Sequence, residues 1–506
     1  MEACFLTEKA LNKLKKGIEL KKNYGIKGAE CMTEVSALWM RRDLRLTDNR
    51  AMHEMQQWVE AEEGRQWFLV FHLDPEFYSF SCPHHDYFFQ NLEKFRKECD
   101  DQHIQLYFLH GTAEKAFAYL KEKVPGLTHL FFNEDEAPPA AYRDEQVKTE
   151  MQRRSVETHV YKDAHFHRSD EVKKKDGGLY SVYTPYYRAW RQLEKEQPYK
   201  CRLDLISSRQ ARPSLPQKAA YGKLSSYLKH YGETWKHTGE EDGHKRLETF
   251  VEEIAPTYHE TNNALSQDGT SRLSAYLKTG RLSVRTIYQA LSEQLEEGNP
   301  GAEAFVSELA WRDYYNMIHA THPELKNKEL KEAYQNLPWE YDEKRLQTWK
   351  EGRTGYPVVD ACMRQLNETG WMHNRGRMIA ASFLTKDYLI DWREGERYFA
   401  ERLIDYDPSS NAGGWQWAAS TGTDAVPYFR VFSPVRQSER FDPQGDYIRE
   451  HVPELQGVPK KYIHTPWKMD EQQQKEYNCI LGQDYPEPEI DHSVQRKKAI
   501  EMFKGD

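Results

Sequence analysis

Three clusters in the second half of the chain combine side chains whose types and spacing suit ligand chemistry. In Asp268-Gly-Thr-Ser-Arg-Leu-Ser274 a glycine precedes two hydroxyls and an arginine at the start of an expected helix. Backbone N–H groups, hydroxyls and a guanidinium together favour an anion such as a phosphate. The same string also reads as an ordinary Asp-Gly-Thr-Ser helix cap. In Trp371-Met-His-Asn-Arg-Gly-Arg-Met378, Asn374, Arg377 and Met378 stand at i, i+3 and i+4. One helix face then presents an amide, a cation and a thioether, while Arg375 points elsewhere. Asp405-Tyr-Asp-Pro-Ser-Ser-Asn-Ala-Gly-Gly-Trp-Gln-Trp417 puts two carboxylates, an amide, two glycines and two tryptophans close together. Glycines admit a flat ligand close to the backbone, and carboxylates accept from ring N–H groups or cations. The pattern favours a large heteroaromatic ligand. Trp415 and Trp417, at i and i+2, face different directions and serve two sites or simply pack.

Two kinds of element must position these groups. From Ser36 to about Lys162, apolar runs at Ala37–Met40, Trp67–Phe71, Ile104–Phe108, His129–Phe132 and Val156–Val160 alternate with amphipathic stretches near 50–63, 84–101, 112–124 and 140–154. Continuous apolar strands separated by helices predict a parallel sheet covered on both faces, a Rossmann-like α/β domain. It carries no GxGxxG. The segment 163–235 has little periodicity and reads as an interdomain connector with some helix. From 236 helical patterns dominate, as over Leu325–Tyr334, Gly355–Glu368 and Met372–Tyr388, and predict an all-α domain over 236–485 with a tail at 486–506. Residues 1–31, lysine-studded and ahead of Met32 and the first strand, read as a flexible extension; the α/β domain is set at 32–162.

Composition sets the outer limits. A chain of 506 residues with 38% hydrophobic and 30% charged residues is globular and long enough for two domains. No run approaches the roughly 18 apolar residues of a membrane helix. The net charge of −9 argues against coating nucleic acid non-specifically. Between 353 and 440 there are eleven Lys+Arg and eleven Asp+Glu, so any basic groove must come from spatial sorting. Seven cysteines form no CxxC pair, which suits a reducing cytosol. Cys82-Pro-His84-His85 and His165-Phe-His167 lack a second ligand cluster, and no metal centre is expected.

Five strings occur together in an order that names a resemblance: Trp39-Met-Arg-Arg-Asp-Leu-Arg-Leu-Thr-Asp-Asn49, Gly269-Thr-Ser-Arg-Leu-Ser274, Glu308-Leu-Ala-Trp-Arg312, Thr354-Gly-Tyr-Pro-Val-Val-Asp360 and Ala419-Ser-Thr-Gly-Thr-Asp-Ala-Val-Pro-Tyr-Phe-Arg430. From about Ala37 to about Trp467 the chain resembles the photolyase/cryptochrome family, nearest its class I members acting on cyclobutane pyrimidine dimers.

The resemblance implies a light-driven carbon–carbon lyase with FAD, reduced and anionic when active, in the helical domain. It places Tyr258, Thr270, Ser271, Arg272, Leu273 and Ser274 around the cofactor's phosphates and ribose, and Arg312, Asn374, Arg377, Asp405, Asp407 and Asn411 around its rings. Asn411 matches the position facing flavin N5, where cryptochromes typically carry Asp or Cys. Asn374 and Met378 stand where (6-4) photolyases carry two histidines. Splitting a cyclobutane dimer needs no acid, so the amide and thioether favour that substrate. The lesion is expected against Glu308, Trp311, Asn374, Met378 and Trp417, with Arg375, Arg430 and Arg440 on flanking DNA phosphates. The catalytic set is Glu308, Asn374, Met378 and Asn411. Trp415, Trp392 and Trp339 match the family's electron-carrying tryptophans. Asn262 departs from the family, which often has Arg there. Asn133-Glu-Asp-Glu-Ala-Pro138 and Arg143-Asp144 fit the antenna cleft, with 5,10-methenyltetrahydrofolate the first expectation and a deazaflavin or no antenna the alternatives. Damaged DNA is the expected partner of a monomeric, cytoplasmic protein, nucleoid-associated in a bacterium. The competing reading is a cryptochrome-like blue-light photoreceptor without repair activity, and a third is repair confined to single-stranded DNA.

Overall fold

The computed structural model describes residues 33–76, 82–229 and 235–504, so the extension expected at 1–31 lies outside the described residues. Strands β1 (Val35–Met40), β2 (Gln66–Leu73), β3 (Leu106–His110), β4 (Leu127–Asn133) and β5 (Glu157–Tyr161) form one parallel sheet in the order β3-β2-β1-β4-β5. They are joined by α1 (Arg50–Ala61), α2 (Pro83–Asp101), α3 (Ala113–Lys123) and α4 (Ala140–Arg153). The central strands are buried on both faces, as parallel strands between helices must be. Leu38, Leu69, Phe71 and Phe131 fill one side, and Trp39, Phe68, Val70 and Phe132 the other. β3 starts two residues later than its apolar run suggests. His103 takes a left-handed φ of 58° and Ile104 donates to the Cys99 carbonyl (2.8 Å), so the run's first residues close α2.

The segment expected as a connector is drawn into both halves. Phe166, Val172 and the Tyr183, Tyr186 and Trp190 rings of α5 (Tyr183–Gln192) enter the helical core, while Leu203, Ile206, Leu224 and Tyr227 enter the core under the sheet. The stretch expected as a C-terminal tail holds α12 (His492–Lys504), a docked helix. Its Phe503 ring lies 3.5 Å from the buried Lys386 ammonium and 6.0 Å from the Trp339 ring. Burial of that one aromatic ties the end of the chain down.

The helical half supplies α6 (Ser274–Thr279), α7 (Pro300–Thr321), α8 (Pro357–Thr369), α9 (Asn374–Ser382), α10 (Trp392–Arg402) and α11 (Pro408–Ala418). Proline at the first turn and a side-chain cap start α7 and α11: Asn299 accepts from Gly301 N and Ala302 N, and Asp407 from Ser410 N. The helix expected over Leu325–Tyr334 does not form, apart from a short 3₁₀ turn at Glu332–Tyr334. The Gln416 amide of α11 holds that stretch instead, donating to the Leu325 and Lys328 carbonyls and accepting from Leu330 N. Among the described residues no helix is long and apolar enough to cross a membrane.

The two halves meet along an ionic seam built from the turn after β1. Arg45 donates to Asp163 (2.6 Å), and Arg285 bridges Asp48 (2.8 Å) and Asp163 (2.6 Å). Gly280 permits the contact: a Cβ there would stand 2.2 Å from the Arg42 carbonyl oxygen, and its φ of +70° is left-handed.

Candidate functional site: a cavity in the helical half

A cavity of about 590 Å³ opens among α6, α7, α9 and α11. That volume falls within the range of small-molecule sites. All three chemical clusters of the sequence line it. On one side lies the 268–274 loop, and it is not a helix cap: α6 begins only at Ser274, and Asp268 instead pairs with Arg246 (2.9 Å) and Arg272 (3.0 Å). Arg246 also takes the carbonyls of Thr270 (2.6 Å) and Ser271 (2.8 Å). Arg272, at a left-handed φ of 53°, lies 4.7 Å over the Trp371 ring. Thr270, Ser271, Arg272, Leu273 and Ser274 all line the cavity, as does Tyr258.

Asp405 and Asp407 adjoin this loop and the helix it leads into. Oδ2 of Asp405 accepts from Ser274 Oγ (2.6 Å) and Arg377 Nη2 (2.7 Å). Oδ1 of Asp405 is buried and has no partner among the described residues. Asp407 is fully engaged: Oδ1 caps α11, and Oδ2 accepts from Lys278 (3.1 Å) and Arg42 (3.5 Å). Burial pushes the Asp407 carboxyl up, but Lys278, Arg42 and Arg312 outweigh it and hold the group well below the usual carboxylate range. Arg312 donates to the Ala164 carbonyl. Burial and the Arg42 charge draw its value down, a cost that an anionic ligand would relieve. Asn411 commits its amide N–H groups to the Glu396 carbonyl and carboxylate (both 3.0 Å), which leaves its carbonyl oxygen as an acceptor.

Glu308, Trp311, Asn374, Met378 and Trp417 line the same cavity. Trp311 is fixed by stacking on Tyr183, ring centroids 3.6 Å apart and 9° from parallel. Glu308 is reachable by solvent through the cavity yet surrounded by protein, and this enclosure alone pushes its carboxyl up to about 7. A neutral acid there donates a hydrogen bond as readily as it accepts one. His373 precedes α9 and accepts from Arg375 N (3.0 Å) as its cap. Burial, then Arg375, Arg272 and Arg377, lower it to about 4, so the imidazole is neutral and a poor proton donor.

Arg375 does not point elsewhere, as the helical spacing suggests. It lines the cavity, donates to Asn263 Oδ1 (2.9 Å) and lies 4.4 Å over the Phe441 ring. Asn262 lines the same stretch of wall. Arg440 also lies over that ring, at 5.1 Å, and is exposed, as is Arg430. Arg375 and Arg440 thus bring together two cations that carboxylates cancel along the sequence. Sequence reasoning missed Lys278 and Asn263; Lys278, one turn after Ser274 on α6, was within reach of the i, i+4 rule.

The three tryptophans share one core. Trp415 lines the cavity and is buried; its ring rests on Gly395 of α10, where a Cβ would stand 2.0 Å away. Trp392 begins that helix and donates its indole N–H to the buried Glu329 (3.2 Å). Trp339 precedes Glu340, whose N–H bonds the Leu389 carbonyl (2.8 Å), so it adjoins the segment leading into α10. The residues read as an antenna cleft pair with side chains around the seam. Asp135 pairs with Arg42, Asp144 with Arg41 (2.6 Å), Glu134 with Arg168, and Glu136 with Ser169 and Asn316.

Residues 36–202 match the family described as DNA photolyase, and residues 305–505 the FAD binding domain of DNA photolyase. A deoxyribodipyrimidine photo-lyase of Alkalihalophilus pseudofirmus is 46% identical over 472 residues, 93% of this chain and 98% of that protein. The chain belongs to the DNA photolyase family. Among solved structures, the photolyase fold recurs in a class III photolyase from Agrobacterium tumefaciens with a TM-score of 0.84 and 31% identity, covering 95% of this chain and 99% of the other. A cryptochrome from Synechocystis aligns with a TM-score of 0.81 and 26% identity over 92% of this chain and 98% of its own. The cavity of this photolyase suits the family's FAD on its own geometry. An unpartnered buried Asp405 oxygen and an unpartnered buried Trp415 Nε1 both belong to residues of its wall, and await a donor and an acceptor.

Proposed function

We propose that this photolyase splits cyclobutane pyrimidine dimers in DNA, with FAD held in the helical cavity and Thr270, Ser271, Arg272, Leu273, Ser274, Arg312, Arg377, Asp405 and Asn411 as its main contacts. The observation that carries the proposal is that one cavity holds both sets of residues, those for the flavin and Glu308, Trp311, Asn374, Met378 and Trp417 for the lesion. Reduced FAD, when bound, supplies an electron on absorbing blue light and takes it back after the ring opens. Photolyases are among the enzymes known to take their target out of the base stack. Trp311 and Trp417 offer the flat apolar walls such a lesion needs, and the Glu308 carboxyl, pushed up to about 7, can bond a pyrimidine carbonyl when protonated. Asn374 and Met378 provide no acid, and neutral His373 is occupied as a helix cap. The pair of histidines that the resemblance places here in (6-4) photolyases is thus missing, which supports the cyclobutane dimer, with Glu308 the acid of the same wall.

Arg375 and Arg440, held over the Phe441 ring, and Arg430 further along would meet phosphates flanking the lesion. Trp415, Trp392 and Trp339 would pass electrons inward to oxidised flavin. Trp415→Phe should then abolish photoreduction of bound FAD while pre-reduced enzyme still repairs; equal loss of both would remove the chain from the mechanism. An antenna, with 5,10-methenyltetrahydrofolate the family expectation, would have to bind beside the paired side chains of 133–144 or displace them. The deciding experiment illuminates purified, reduced protein with a duplex carrying one thymine dimer. Restored thymines in light and none in the dark are expected. An intact dimer after illumination, with full flavin content, would hand the protein to the photoreceptor reading.

A further inference from the structure

Far from the flavin cavity in sequence, the edge of the parallel sheet gathers three side chains that the repair chemistry does not use. β4 and β5 pair with His129 opposite Glu157 and Phe131 opposite His159. The period of two along a strand therefore puts His129, Glu157 and His159 on one face. One donor atom from each lies within 4.8 Å of the other two. The imidazoles are stacked, centroids 5.3 Å apart and 13° from parallel. Their Nε2 atoms each stand 3.6 Å from a different oxygen of the Glu157 carboxylate. That is too long for a hydrogen bond. It is close to the ~3.4 Å between two ligands of a tetrahedral ion whose metal–ligand distance is ~2.1 Å.

The protons leave the same gap. Thr128 Oγ1 reaches the Val35 carbonyl (3.5 Å), so its lone pairs are left to accept from His129 Nδ1 (2.8 Å). With its proton on Nδ1, His129 turns a bare Nε2 toward the carboxylate. His159 Nε2 is buried and has no hydrogen-bond partner among the described residues. The rings are held from behind, His129 by Trp58 at 4.5 Å and His159 by Phe131 at 4.4 Å. Glu54 adds negative charge nearby, and Arg65, the opposing cation, is offset by Glu34 (3.0 Å) and Glu62 (3.0 Å). Glu157 is exposed, so a fourth position stays open to water.

We propose that His129, His159 and Glu157 bind a divalent late first-row transition ion, Zn²⁺ first, which ties the edge strand β5 to β4. Histidine and carboxylate are the donors such ions take, and two histidines with one glutamate leave one coordination place free. The sequence reading expects no metal because it searches for ligands within one segment, whereas these come from two strands separated by a helix. Cys82, His84 and His85 also lie within 4.8 Å of one another. They sit at the N-terminal end of α2, where the helix dipole and the Lys278 and Lys326 charges oppose a cation.

The test uses full-length flavoprotein stripped with a chelator and titrated with ZnCl₂ in a calorimeter. One ion at micromolar affinity or tighter is expected, with a rise in melting temperature on saturation. His159→Asn and Glu157→Ala should each cost no less than the ~10–100-fold lost with an outer-shell partner. Both variants should keep the wild-type flavin spectrum, which shows the fold intact. No binding below millimolar Zn²⁺ would overturn the proposal. So would an unchanged isotherm in both variants, which would move the ion elsewhere, to Cys82 first.

Discussion

At the seam between sheet and helices, arginines and aspartates are spent largely on one another, with Arg41 Nε left over. Arg285 spans Asp48 and Asp163, Arg45 shares Asp163, and Arg41 takes Asp144, all buried. Along the cavity wall the same residue types are left with capacity to spare. Asp405 keeps one oxygen unpartnered, Arg312 has a backbone carbonyl for an acceptor, and Glu308 carries a carboxyl that burial alone displaces. Both regions lie in motifs that mark the family, so motif membership does not separate structure from chemistry. Unspent hydrogen-bonding capacity beside an open cavity does: Arg41 Nε at the seam is also unpartnered, but Asp405, Arg312 and Glu308, unlike it, line space that a ligand can fill.

The comparison is broken most forcefully at the seam. Arg285→Ala would leave Asp48 and Asp163 with one cation fewer in a site closed to water. Breaking a buried pair by removing one partner costs ~3–5 kcal/mol. Thermal unfolding of the flavoprotein should show a melting temperature lower by several degrees. A shift within error would mean that the seam is not what holds the two halves. On the cavity side Asp405→Ala removes an acceptor that also anchors Ser274 and Arg377. A lost charged hydrogen bond is worth ~1.5–3 kcal/mol, so FAD should bind roughly 10- to 100-fold more weakly. Fluorescence of released flavin measures it, and unaltered retention would make Asp405 a second seam residue.

How much of this was legible in the sequence follows from the same distinction. The sheet was plain because a strand buried on both faces writes an unbroken apolar run. The cavity residues were legible where short spacing fixes a shared face, as for Asn374, Arg377 and Met378. Arg375 was misplaced because its direction is set by Asn263 and Phe441, more than sixty residues away on either side. Leu325–Tyr334 failed as a helix because Gln416 supplies the hydrogen bonds that a helix would have made. The connector and tail were undervalued for a different reason. Their helices are short and bury few residues each, Tyr183, Tyr186 and Trp190 in one and Gln495, Ala499 and Phe503 in the other, so a helical spacing is present but spans only two turns. Trp190 even has a fixed polar partner, Asp313 at 2.8 Å, that no local pattern announces.

A finer test of unspent capacity is the pH response of Glu308. Burial raises its carboxyl above the unfolded value, so the folded site favours the protonated form. What that proton contributes to binding a pyrimidine carbonyl is present below about 7 and lost as pH rises through it. Affinity for a dimer-containing oligonucleotide should therefore weaken above pH 7 by roughly 3- to 10-fold, the worth of one hydrogen bond. Glu308→Gln keeps a donor at every pH and should flatten the profile. A wild-type profile already flat across pH 7 would place the carboxyl outside the contact with the base.

The smallest effect is expected from Arg430, and its size carries information. Arg375 and Arg440 are both held over the Phe441 ring, so their charges are fixed in place before DNA arrives. Arg430 is exposed on the turn closed by its own N–H to the Pro427 carbonyl (2.8 Å), and must be ordered on binding. Part of its attraction is then offset by lost side-chain freedom. Arg430→Ala should weaken binding to damaged and undamaged duplex alike by a few-fold and lower the salt slope by about one. Filter binding across a salt series measures both. Were the loss confined to damaged DNA, Arg430 would be reading the lesion or its distortion, and the division between phosphate rim and lesion pocket would have to be redrawn.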